Sequence, residues 1–377
     1  MARAAYVHIP FCEHICHYCD FNKYFLNGQP VDDYLTSLAI EMTNALRRYP
    51  SEGIETVYIG GGTPTALNEV QFSRLLHGIR ERLAPSRGIS EFTVEANPEN
   101  LTKTKLTTMK EAGVNRISLG VQSFEDSLLA AVGRPHTEKH VHDAIELISE
   151  AGFDNVSIDL MFRLPGQTRE QLASTLETAL SYGTKHISIY SLQVEPRTVF
   201  YNRLKKGRLP LPDEDAEAEM YEQIIETLGS RGLRQYEISN FAVPGYESRH
   251  NTMYWQNEDY YGFGAGAHGY LKNVRRVNAG WTKKYIRLIK EKGDAFVEES
   301  RVSLREQMGD HLFLGLRMAD GVSRTGFFRR FGVRAEEVFG GELETLAGRK
   351  WIEVADDRIF LTKKGLFLGN EVFQAFV

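Results

Sequence analysis

Cysteine is scarce in this chain: three residues in 377, with none outside the stretch Tyr6 to Phe21. An odd count fits no complete disulfide framework. Unpaired thiols belong to a reducing compartment, so a cytoplasmic location is expected. Long apolar runs are missing as well. Nowhere do about 18 uncharged apolar residues follow one another, and the N-terminal MARAAYVHIP holds no apolar core of signal-peptide length, so neither a membrane span nor a leader is expected. Positive charge is not in excess: 45 Lys and Arg face 50 Asp and Glu, interspersed, for a net charge of −5. That balance argues against a general nucleic-acid-binding surface. Internal repeats, low-complexity tracts and long disordered linkers are also absent. What remains is an ordinary globular composition, 42% hydrophobic and 25% charged, at a length that suits one large domain and a smaller one.

The few cysteines stand together. Cys12, Cys16 and Cys19 form C-x3-C-x2-C on one short loop. A thiolate is a soft, strong metal ligand, so three on one loop point to one metal centre. Packing as small buried hydrophobes explains the crowding poorly, because His8, His14, His17 and Tyr18 lie among them. Two metal readings stay open. Zinc would take a fourth ligand, which His8, His14 or His17 can supply. A [4Fe–4S] cluster would use the three thiolates and leave one iron open to an exchangeable ligand.

Around that loop, strand-like apolar runs alternate with helix-period segments six times before residue 240, which implies a parallel sheet. The runs begin at Ala4, Glu55, Glu91, Arg116, Phe153 and His186. The first helix is expected from about Asp33 to Arg48, with Asp32 or Asp33 as its N-cap, and the turn Gly60-Gly61-Gly62-Thr63-Pro64 follows the second strand. Such units can lie flat as a doubly wound sheet or curl into part of a barrel. Distinctive polar or turn residues end every strand: the cysteines, the glycines, Glu95, Gln122, Asp159 and Ser191. Six strands delivering groups to one rim suit a sheet curved around a ligand, so the expected class is α/β, a partial (β/α)6 barrel.

Beyond Leu233 the pattern changes. Residues 1–235 read as the barrel, and 236–300 as an aromatic and glycine-rich region with a loop from Phe241 to Tyr270. Residues 301–377 read as a small winged-helix-like domain of helices around a hairpin, Trp351 to Leu361. No Lys/Arg-rich recognition helix marks that domain, and a packing or lid role is expected of it.

The strand and loop YVHIPFC, continued through Cys16 and Cys19, resemble the cluster-binding signature of radical S-adenosylmethionine (SAM) proteins, in the form seen in the coproporphyrinogen oxidase group. The resemblance implies the same partial barrel, a [4Fe–4S] cluster on Cys12, Cys16 and Cys19, and SAM on the open iron. It also implies that Gly61, Gly62 and Thr63 contact SAM, with Tyr6 near it. Glu95 in VEANP, Gln122 in SLGVQSF, Arg134 in GRPHT, Asp159 in IDLMF and Ser191 are implied as further SAM-binding positions. Carboxylates at such a rim can accept hydrogen bonds from an ammonium or from ribose hydroxyls, and an arginine can pair with a carboxylate. Arg163 is a departure, since related proteins usually carry glycine there.

A second constellation is RHNTMYW, Arg249 to Trp255. Neutral imidazole is a common proximal ligand of haem iron, and flat rings stack on a porphyrin. The pattern HNxxYW is similar to the haem-binding motif of the HemW family of haem chaperones, which implies that His250, with Tyr254 and Trp255, holds haem. The following GFGAGAHGY sets His268 among Gly262, Gly264, Gly266 and Gly269 and allows close backbone approach. It lacks the strand-before, helix-after setting of a dinucleotide fingerprint. Two features of the oxygen-independent coproporphyrinogen III oxidase are not seen: an extension before the first strand, and a further cysteine where Phe21 stands. The implied function is a haem chaperone that passes haem to an acceptor apoprotein, with peripheral docking at a membrane left open. The alternatives are a radical enzyme acting on coproporphyrinogen III and a zinc-stabilised binding module.

Overall fold

The computed structural model describes residues 2–84 and 88–377. Six parallel strands form its centre: β1 (Ala4–Ile9), β2 (Thr56–Gly61), β3 (Glu91–Ala96), β4 (Arg116–Gln122), β5 (Val156–Phe162) and β6 (His186–Ser191). Each is hydrogen-bonded to the next in chain order, and helical connections return the chain between them, as parallel neighbours require. Successive residues point to opposite faces of a strand. Val7, Ile9, Val57, Ile59, Val94, Ile117, Leu119, Ile158, Leu160, Ile187 and Ile189 are buried in one core with the helices. Between them stand Tyr6, His8, Tyr58, Glu95, Ser118, Asp159, Ser188 and Tyr190, which line the space inside the curved sheet. A parallel sheet covered by apolar layers on both faces reads as unbroken hydrophobic runs. Here the runs alternate, because the inner face surrounds a cavity.

Helix starts follow local chemistry. Asn68 accepts a hydrogen bond from Gln71 N–H at the head of Glu69–Leu83, whose Phe72, Leu75, Leu76, Ile79 and Leu83 form the buried face expected of it. The helix Lys103–Ala112 stops at Gly113 in the left-handed conformation. The first helix departs from expectation. It spans Val31–Arg48 with Pro30 at the N-cap and no side-chain cap, which leaves Asp32 and Asp33 inside the first turn. There they favour the positive end of the helix dipole instead of capping it.

The sheet continues beyond the six strands. It gains β7 (Arg234–Glu237), β8 (Asn240–Ala242), β9 (Tyr260–Phe263), β10 (His268–Leu271), β11 (Val274–Asn278) and β12 (Phe296–Arg301). β8 pairs antiparallel with β6 and β7 at one edge. At the other, β9 runs parallel to β1, with β10, β11 and β12 antiparallel beyond it. The stretch Phe241 to Tyr270, expected as loop, therefore supplies strands to both edges and the helix Arg249–Trp255 between them. Strands this short, interrupted by Gly262 and Gly269, show too little alternation to be read in advance.

The C-terminal helices, Leu304–Gly315, Arg324–Phe331 and Ala335–Gly348, enclose a separate core with Leu312, Phe327, Phe339, Leu343, Ile359 and Phe373. The hairpin Ile352–Ala355 and Arg358–Leu361 falls where expected and gains a third strand, Val322–Ser323. This winged-helix-like unit is tied to the barrel by a bridge between Glu237 and Met318 and by Arg330, which donates to the Asn257 carbonyl at 2.5 Å. No helix among the described residues is long and apolar enough to cross a membrane.

Candidate functional site

The cysteine loop is closed at its base by two-residue strands, Phe11–Cys12 and Tyr24–Phe25, paired in parallel. Its middle is pinned where His17 N–H donates to the Val132 carbonyl at 3.0 Å and His17 Nδ1 lies 3.1 Å from the Ala131 carbonyl. The glycine turn docks on the base: the N–H groups of Gly62 and Thr63 donate to the carbonyls of Ile9 and Phe11, both at 2.8 Å. A Cβ on Gly62 would stand 2.8 Å from the Phe11 oxygen, so this approach requires glycine. Thr63 Oγ1 then reaches Cys12 Sγ at 3.6 Å. Cys12 is buried and Cys16 and Cys19 half-buried, and all three line one cavity of about 410 Å³. Burial pushes the Cys12 thiol up to about 11, against the pull of the Thr63 hydrogen bond, and raises Cys19 too. A cationic metal centre is what would hold such buried thiols as thiolates at neutral pH.

The donor set fits a cluster better than one ion. Among the described residues, no three His, Cys, Asp or Glu side chains close on a single point. Two of the histidines weighed for zinc are engaged elsewhere: His17 at Ala131, and His8 between the Tyr6 hydroxyl at 2.9 Å and the Asn22 carbonyl at 2.7 Å. Three thiols lining one cavity, with those two histidines engaged elsewhere, suit a polynuclear centre that leaves one metal open.

Gly61, Gly62, Thr63, Glu95, Gln122, Arg134 and Asp159 line this same cavity. Glu95 accepts from the Tyr58 hydroxyl at 2.9 Å and from Gly61 N–H at 3.0 Å; burial raises it to about 7 in spite of those bonds. Asp159 accepts from Ser118 at 2.7 Å and Ser157 at 2.8 Å, and burial raises it as well. Arg134 donates to Asn97 Oδ1 at 3.2 Å and to the Gly120 carbonyl at 3.0 Å, while its Nε is buried without a partner. Arg116, which is 1% exposed, has an unpartnered Nε too. A buried unsatisfied donor costs about 1–3 kcal/mol, so two arginines with spare donors around one cavity fit an anionic ligand group such as a carboxylate. Gln122 has a φ of 67°, in the left-handed region, where β4 shifts register against β5. Bulges and backbone strain of this kind collect at functional sites.

Ser191 is not brought to this cavity. Its hydroxyl donates to Glu217, whose other oxygen pairs with Arg163 Nε at 2.8 Å. The long Arg163 cation therefore folds back onto the helix Glu214–Ser230 and leaves the cavity clear.

A second cavity, of about 790 Å³, adjoins the first through a shared wall of Phe21, Tyr58, Gly61, Glu95, Tyr190 and Asn251. Tyr6 lines this one, not the cysteine cavity. Its surface is aromatic: Tyr6 stacks on Tyr58 at 6.2 Å, Tyr58 on His250 at 5.4 Å, and Tyr254 meets Tyr260 edge-on at 4.6 Å. Phe313 and Leu314 of the C-terminal domain close one side. His250 is fully buried, on a helix whose first N–H groups donate to Glu91, Arg249 at 2.8 Å and His250 at 3.0 Å. Both ring nitrogens are engaged, Nδ1 2.9 Å from Thr56 Oγ1 and Nε2 2.8 Å from the Tyr254 hydroxyl. Burial, helped by the nearby Arg116 charge, lowers His250 to about 3, so its ring is neutral. Sequence reasoning missed Tyr58, Tyr190, Asn97, Arg116 and the second cavity. Tyr58 and Arg116 had a signal, since both sit at inward positions of the two-residue period in TVYIGG and RISLGVQ.

Residues 6–179 match the radical SAM superfamily, and residues 302–368 match the HemN C-terminal domain. The heme chaperone HemW of Bacillus subtilis (strain 168) is 51% identical over 375 residues, covering 100% of this chain and 99% of that one. HemW of Lactococcus lactis subsp. lactis (strain IL1403) is 44% identical over 374 residues, covering 99% and 97%. HemW of Escherichia coli (strain K12) is 32% identical over 379 residues, again covering 99% and 97%. Among solved structures, coproporphyrinogen III oxidase (HemN) from Escherichia coli, a radical SAM enzyme, has a TM-score of 0.86 at 23% identity, covering 100% of this chain and 90% of that one. At that identity the likeness is one of fold.

Proposed function

We propose, because this chain belongs to the HemW family of radical SAM proteins, that it binds haem and passes it to an acceptor apoprotein. We place a [4Fe–4S] cluster on Cys12, Cys16 and Cys19 and SAM beside it in the 410 Å³ cavity. The observation that carries the reading is the pair of adjoining cavities, one lined by the three cysteines and the other by aromatic rings at a volume suited to a large flat ligand. When bound, the cluster supplies one-electron chemistry and an open iron for the amino and carboxylate groups of SAM.

The chain's own groups divide the remaining work. The spare donor of Arg134 can take a carboxylate, Glu95 an ammonium, and Asp159 a hydroxyl. Gly61, Gly62 and Thr63 let the ligand approach the backbone, and Gln122 closes the rim. Tyr6 and His250 serve the haem cavity: Tyr6 as part of its stacking wall, His250 as the buried centre of the motif that fixes Tyr58 and Tyr254. Residues 1–235 act as the barrel, 236–300 as the haem-motif edge and 301–377 as a cover, through Phe313 and Leu314, over the haem cavity. Ser191 has no part in this scheme, because it is spent on Glu217. Anaerobic reconstitution with iron and sulfide, followed by haem titration, tests the reading. About four irons per chain and a new Soret band are expected; a cluster without haem binding, or turnover of coproporphyrinogen III by the pure protein, would overturn it.

A further inference from the structure

We propose that Arg275 anchors a carboxylate of the bound porphyrin at the mouth of the second cavity, and that Asp310 occupies that arginine until the carboxylate arrives; the inference rests on the haem-binding reading above. Haem carries two propionate side chains, and a charge that follows a flat ring out of water needs a cation to meet it. The stacking wall leads to one. Tyr260 pairs in register with Tyr270, and Tyr270 with Arg275, so the three side chains stand in a row on one face of β9, β10 and β11. The row starts against Tyr254 and ends on a guanidinium that lines the cavity, its side chain 51% exposed. A ring seated on the tyrosines therefore brings its edge to Arg275 at the solvent side.

The neighbouring Arg276 is already committed, paired with Glu299 at 2.7 Å and laid over the Tyr49 ring. Arg275 is held differently. Among the described residues its one ion pair is to Asp310, which lines the same cavity from the C-terminal domain. Asp310 sits on the helix Leu304–Gly315, three and four residues before Phe313 and Leu314, so one helix face brings both the apolar cover and the acid to the cavity. A propionate offers the guanidinium the same two-oxygen partner as Asp310, and the exchange of one carboxylate for another leaves no donor stranded. Burial raises the Asp310 carboxyl in spite of Arg275, so once displaced it takes a proton more readily than a solvated acid does.

The test is titration of the full chain with haem and with haem dimethyl ester, whose two carboxylates are blocked, read by the Soret band for the natural protein, Arg275→Gln and Asp310→Asn. The natural chain is expected to bind haem about tenfold or more tighter than the ester. Arg275→Gln removes that preference by weakening haem alone, and Asp310→Asn, which takes away the competing carboxylate, tightens haem and leaves the ester unmoved. Equal affinity of the natural chain for the two ligands, a preference that survives Arg275→Gln, or an equal loss of both ligands in that variant would overturn the assignment while leaving haem binding standing. Weaker haem binding in Asp310→Asn would overturn the exchange. No Soret band in the natural protein would remove the haem reading and this inference together.

Discussion

The two cavities share a wall yet are built for different ligands. On the cysteine side, half-buried carboxyls and arginines with spare donors surround the space: Glu95, Asp159, Arg134 and Arg116. On the other side, rings dominate, and the buried histidines are held neutral, His8 lowered and His250 down to about 3, each chiefly by burial. Charged groups with unsatisfied donors suit a charged partner, whereas a wall rich in rings favours shape and stacking. On the function proposed above, the first suits a zwitterionic ligand beside a metal centre and the second a flat aromatic cargo. Tyr58 joins them, bonded to Glu95 on one side and stacked on His250 on the other.

If the cavities are separate sites, removing a cluster ligand should leave the second intact. Cys12→Ala should reduce iron after reconstitution from about four atoms per chain to near background, with the haem Soret band retained. Loss of both signals together would mean that the shared wall couples them into one site. This variant carries the largest expected effect, because Cys12 is the most buried of the three thiols and the chain has no fourth cysteine to replace it.

That asymmetry also explains what the sequence disclosed. The cysteine side was legible because its lining residues are close in sequence, as in Cys12, Cys16 and Cys19, or stand at strand ends, as do Glu95, Gln122 and Asp159. A strand end is a position that periodicity alone can locate. The six-strand centre was readable for the same reason. The aromatic cavity was not, because Tyr6, His250, Tyr270 and Phe313 meet only when β9 and β10 join the edge of β1 and the C-terminal domain folds over them. Long-range pairing of short, glycine-interrupted strands leaves no local pattern. The motif at His250 marked the right neighbourhood, since His250 lines that cavity.

A smaller effect sharpens the electrostatic contrast. Glu95 titrates at about 7 in the fold against an ordinary 4.5, so the folded chain holds that proton more tightly. Its contribution to stability is present below pH 4.5 and lost as pH rises through about 7. His250 runs the other way, at about 3 against 6.5, with its contribution present above pH 6.5 and lost as pH falls towards 3. Each group supplies a slope of at most about 1.4 kcal/mol per pH unit, and between pH 4.5 and 6.5 the two oppose each other. Glu95→Gln should remove the falling arm, so that stability relative to the natural chain climbs across that window. Urea midpoints at several pH values check this, and parallel curves for the two chains would refute it.

The smallest effect fixes the border of the cysteine cavity. Arg163 holds a φ of 60°, which glycine would adopt without strain, and it pairs with Glu217, which also takes the Ser191 hydroxyl. Arg163→Gly relieves the backbone but loosens the unfolded chain and breaks a partly exposed ion pair, terms of about 1 kcal/mol or less with opposing signs. The expected change in thermal midpoint is therefore slight. Iron content and SAM binding, followed by calorimetry on the reconstituted protein, should not move, because neither Arg163 nor Ser191 lines the cavity. A clear change in SAM affinity would show that this corner reaches the ligand through Glu217, and the cavity wall would then have to be redrawn to include Ser191.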